Sequence, residues 1–124
     1  MSVGNGVTME LAPWTTIKGT SATAGIIQEL DDWIDTSSHK SGVLEADILK
    51  VSGGTFYVEG CDVQGGSFTT HASYTAGLSA STLVYLNKNV PYGAPERLSN
   101  LIRWKFVSGG GDWEVSFRLT LVLK

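Results

Sequence analysis

The chain has 124 residues, a net charge of -3 and 17% charged residues, a size that suits one domain and excludes the need for metal or disulfide staples. Nine scattered basic residues against twelve acidic ones exclude nucleic acid as the main partner, because neutralising phosphates takes clustered Lys and Arg. The single Cys61 excludes an internal disulfide, and no run approaches the roughly 20 apolar residues of a membrane helix.

The opening MSVGNGVTMEL has neither the basic nor the apolar region of a signal peptide. Its glycines make residues 1–6 a flexible arm, with residues 7–124 as the domain. VTMELAPWTTI is strand-like, but Pro13 confines it to an edge. In IIQELDDWIDTS, the spacing of Ile26, Ile27, Leu30, Trp33 and Ile34 has a helical look, while the flanks GTSATAG and TSSHKSG read as loops. The flanks favour a strand or irregular segment with a short turn, and a helix stays open as the alternative.

GVLEADILKVSGGTFYVEGCDV is a clearer case. Leu44, Ala46 and Ile48 face one way and Glu45 and Asp47 the other. Ser52-Gly53-Gly54 predicts a reversal, with Phe56 and Val58 on the return strand. Cys61, between Glu59 and Asp62, reads as a buried small residue, since the carboxylates oppose a thiolate. The Thr-rich GSFTTHASYT predicts an edge or solvent-facing strand. STLVYLNKN follows as a further strand, and VPYGAPERLSN as a long connection. The final LIRWKFVSGGGDWEVSFRLTLVLK predicts a hairpin at the centre of the core. Ile102, Trp104 and Phe106 point inward on one arm, and Trp113, Val115, Phe117, Leu119, Leu121 and Leu123 on the other. LKVSGGTFYVEG and WKFVSGGGDWEVS echo each other as two Gly-turn hairpins. About eight short strands with turn punctuation predict an all-β antiparallel sandwich, preferably a jelly roll.

Chemistry-bearing patterns are sparse. His39 and His71 lack metal-ligand spacing and read as a solvated loop residue and a sheet-surface residue. Asp31, Asp32 and Asp35, with Glu29, lack the calcium-loop pattern and read as a solvated acidic surface. The serines carry no G-x-S-x-G motif, and Gly109–Gly111 precede a strand rather than a helix, so no phosphate cradle is expected. No catalytic residue, cofactor or metal is therefore expected. Trp14, Trp33 and Tyr92 fall outside the alternating runs, so they are the candidate contacts to a partner protein or a glycan.

The N-terminal LAPW, the central VLEADILKVSGGTFYVEGCDV and the final LIRWKFVSGGGDWEVSFRLTLVLK together resemble small structural proteins of tailed bacteriophages. The correspondence is best over Leu101–Phe106 and Trp113–Lys124. It implies a non-enzymatic virion component, a head decoration or cement protein. Such a protein would be made in the bacterial cytoplasm and bind the major capsid protein or neighbouring subunits as a homo-oligomer, a trimer being one form. No nucleic-acid or membrane partner is implied. Where the family pattern carries T-S-x-D-G-x-x-W, this chain has EGCDVQGGSF, so no functional residue carries over. The alternative is a carbohydrate-binding sandwich module.

Overall fold

Strict alternation of bulky and polar side chains gives each strand one wet and one dry face, and two dry faces must meet. The structure, a computed structural model, describes residues 7–20, 25–63, 65–77 and 79–124, with the backbone alone at 76 and 77. The expected N-terminal arm lies outside the described residues. The strands are β1 (Val7–Gly19), β2 (Gly25–Ile27), β3 (Ile34–Asp35), β4 (Ser41–Cys61), β5 (Thr69–Gly77), β6 (Ala80–Asn87), β7 (Leu101–Ser108) and β8 (Trp113–Leu123). They pair antiparallel in one eight-stranded sheet. The segment left open between helix and strand resolves into β2, a 3-10 turn over Leu30–Asp32, and β3.

The sheet curls back on itself around β4. Residues 41–52 of β4 lie between β6 and β8, while residues 51–61 lie between β5 and β7. A first layer β1-β8-β4-β6 therefore faces a second layer β2/β3-β7-β4-β5, the strand order of a jelly roll with one strand serving both layers. Phe56 of the second layer meets Phe117 of the first at 4.4 Å between ring centroids, and Phe106 stacks on Trp113 at 4.6 Å. The inward residues expected of β7 and β8 are all buried.

Two predicted hairpins are corrected. The chain does not reverse at Ser52-Gly53-Gly54; β4 runs through it with a bend, and Gly53 takes φ 77°. Nor do β7 and β8 pair with each other. They follow each other along one edge of β4 in opposite layers, joined by a link that crosses between them. The Gly109 N–H donates to the Gly53 carbonyl at 2.7 Å, so the two Ser-Gly-Gly segments form one corner. A Cβ at Gly53 would collide with the Asp112 carbonyl, and one at Gly54 with the Val107 carbonyl. Glycine is used here for close backbone approach and a kink, not for a reversal.

Pro13 sits as expected on an edge strand, where the β1–β8 register shifts just before it, between Glu10 and Ala12, and again across it, between Ala12 and Thr15. Among the described residues β5 pairs only with β4, which makes it an edge strand, one of the two positions its polarity allows. The gap between the edge strands β1 and β2 is bridged by Gln28. Its side-chain amide donates to the Leu11 carbonyl of β1 at 3.1 Å and accepts from the Trp104 N–H of β7 at 3.2 Å.

Candidate functional site

The two outer faces of the sandwich differ. On the second layer, Glu59 points outward yet is only 3% exposed. The Arg103 Nε donates to its Oε2 at 2.7 Å, and the Lys105 ammonium lies 3.3 Å from Oε1. Phe68 and Trp33 cover the Arg103 guanidinium, with ring centroids 3.7 and 4.9 Å away. The Trp33 indole N–H donates to the Gln28 carbonyl at 2.8 Å, and the ring meets Phe68 edge-on. Here a buried carboxylate between two cations, capped by aromatic rings, completes the face from within.

At one end, the 88–100 connection folds over the sheet and is pinned by polar side chains. Asp62 accepts from the Arg97 guanidinium at 3.3 Å, and that guanidinium lies 4.0 Å from the centroid of Tyr92. The Lys88 ammonium donates to the Thr36 hydroxyl and to the Asn100 side-chain carbonyl. His71 corrects an expectation, for it is 7% exposed rather than on the sheet surface. Its Nδ1 lies 2.9 Å from the Pro95 carbonyl and its Nε2 3.0 Å from the Ser99 hydroxyl. The carbonyl can only accept, so Nδ1 carries the proton and Nε2 accepts from Ser99. The spacing is that of a nucleophile and its base, but both side chains lie buried beneath the connection, which they hold in place. Burial pushes the His71 pKa below its ordinary value. It pushes the Cys61 thiol above its own, so Cys61 is the buried residue the sequence predicts.

The outer face of the first layer is not covered. Register places Glu10, Thr120, Glu45 and Leu83 in one row across β1, β8, β4 and β6, with Thr8, Val122, Val43 and Tyr85 in the next. Leu83 is 53% exposed and Tyr85 68%. Val43, Tyr85, Val90 and Val122 line a shallow depression of about 350 Å³. On the other side of the Glu10–Glu45 row, Arg118 donates to Asp47 at 2.8 Å, and Ser81 donates to the same carboxylate at 2.7 Å. The Arg118 hydrogen bond, then that of Ser81, holds the Asp47 carboxyl below the usual range. Trp14, 52% exposed, lies 5.0 Å from the Arg118 guanidinium. Two large apolar anchors, Trp14 and Tyr85, thus flank a polar band on one twisted surface.

The three aromatic candidates do not converge. Trp14 lies on the first layer's outer face, Trp33 is built into the second layer's, and Tyr92 stands on the end connection over Arg97. Each instead has an arginine against its ring. Sequence reading passed over Leu83 and Tyr85, although a signal was present. In STLVYLNKN, Leu83 and Tyr85 alternate with Val84 and Leu86, so this edge strand is apolar on both faces. Asp31, Asp32 and Asp35 join no cluster of three or more metal-ligating side chains among the described residues. No protein-family model matches the chain, and no curated protein matches it.

Proposed function

We propose that this protein is a non-enzymatic structural component of a virus particle, a capsid decoration or cement protein. It would seat on capsid subunits through the outer face of its first layer. The observation that carries this reading is the contrast between the two faces. One face pairs its charges and packs its aromatic rings internally, leaving aliphatic Ile27 and Val107 exposed, whereas the other leaves the aromatic Trp14 and Tyr85, with Leu83, in water. Exposed aromatics grouped with aliphatic residues and a positioned arginine are the usual anchors of protein interfaces. The resemblance of the Leu101–Phe106 and Trp113–Lys124 segments to phage structural proteins supplies the kind of partner. A glycan-binding reading asks for a flat aromatic platform, and Trp14, Trp33 and Tyr92 do not share a surface.

The test is to produce the protein together with the products of its neighbouring genes and to isolate any particles by sedimentation. The expected result is that the wild-type protein travels with particles, while Tyr85→Ser and Trp14→Ala stay at the top of the gradient. Free protein in sedimentation equilibrium is expected to form a symmetric oligomer, a trimer being one form. A monomer at high concentration that leaves particles bare would refute the reading, as would binding to a glycan array that Trp33→Ala abolishes.

A further inference from the structure

We infer that the first layer's outer face receives a basic side chain of a different protein, seated over Thr120 between Glu10 and Glu45. This rests on the reading of that face as a protein-docking surface and names the chemistry that docks there. Glu10 and Glu45 flank Thr120 from β1 and β4, so their Cα atoms lie about 10 Å apart, two strand spacings. Among the described residues neither carboxylate has a hydrogen-bond or ion-pair partner, whereas Asp47, one row away, is held by Arg118 and Ser81. Glu45 is also partly buried beside Leu83.

The row lies between the Tyr85 depression and the Trp14–Arg118 pair, so an entering ammonium or guanidinium would have apolar ground on both sides for its stem. Glu10, Glu45 and Asp47 against Arg118 give this part of the face a local charge of three negative to one positive. A cationic partner complements that charge. A second copy of this chain is poorly equipped to supply one. Of its nine basic side chains, all but Lys40 and Lys124 already engage carboxylates or buried acceptors.

The probe is a random peptide library displayed on filamentous phage and panned against the full chain at low salt. Selected peptides are expected to share a Lys or Arg beside an aromatic or aliphatic residue and to shift the amide resonances around Thr120. Their affinity should fall about tenfold in the Glu10→Gln/Glu45→Gln variant, and fall similarly when salt is raised. Peptides that shift Thr120 yet lack a basic residue, or bind the double variant equally well, would overturn the cationic chemistry while leaving the docking face in place. Peptides that bind elsewhere, or the failure to select any, would overturn both. So would sedimentation in which Tyr85→Ser turns an oligomer into a monomer, since a second copy would then cover the face.

Discussion

Gln28 shows how much of this fold can hang on one polar side chain. It is buried, and its amide joins the Leu11 carbonyl of one edge strand to the Trp104 N–H of the other layer while also donating to Asp32. Gln28→Leu fills the same space but strips partners from buried backbone groups. It is expected to cost about 2–4 kcal/mol in urea unfolding, and a change within experimental error would show that water replaces the clasp. His71 makes a second residue-scale prediction. Burial lowers its pKa in the folded protein, so the unfolded chain takes up the proton more readily. Its contribution is therefore present above pH about 6.5 and is lost as the pH falls below that value toward the folded pKa. Asp35, Asp47 and Glu114, whose pKa values are lowered, lose theirs only in more acid solution. The urea midpoint of the wild type should drop between neutral pH and pH about 5, and His71→Gln should flatten that drop. Equal slopes for the two proteins would assign it to other groups.

Among the elements, β4 carries most of the design. Its bend lets one strand serve both layers, and the bend depends on Gly53, at φ 77° and against the Asp112 carbonyl. Gly53→Ala is expected to destabilise the protein by about 1–3 kcal/mol, measured by thermal unfolding. A neutral result would mean the corner relaxes freely. Phe117→Ala in β8 removes the ring that meets both Phe56 and Trp104 and should cost about 3–5 kcal/mol. The inward faces of β4, β7 and β8 were legible because period-two alternation is a local property. The bend was not. Ser-Gly-Gly permits a hairpin or a kink equally well, and the choice falls to partners far away in sequence: β8 before the glycines and β7 after them. The burial of His71 was hidden for the same reason, since it depends on Pro95 and Ser99 folding over the sheet. Trp14, Trp33 and Tyr92 were legible as unusual aromatics, but the Arg103 and Phe68 partners that commit Trp33 to structure come from other elements.

At the scale of the molecule, the sandwich places its internal chemistry on one side and its unfinished surface on the other. Glu59, Arg103, Lys105 and Trp33 satisfy one another on the second layer's face, where Ile27 and Val107 stay exposed, while Trp14, Leu83, Tyr85 and two carboxylates unpaired among the described residues leave the first layer's face open. An interface that forms on the open face should exclude water from its aromatic anchors and leave the closed face as it is. Hydroxyl-radical footprinting of the free and particle-bound protein reads both faces in one experiment. Protection of Trp14, Leu83 and Tyr85 on binding is the expected result, with no change at Trp33 or at Tyr57, whose ring centroid lies 5.3 Å from the Lys105 ammonium on the other face. Protection of Trp33 and Tyr57 with Trp14 and Tyr85 still reactive would contradict it.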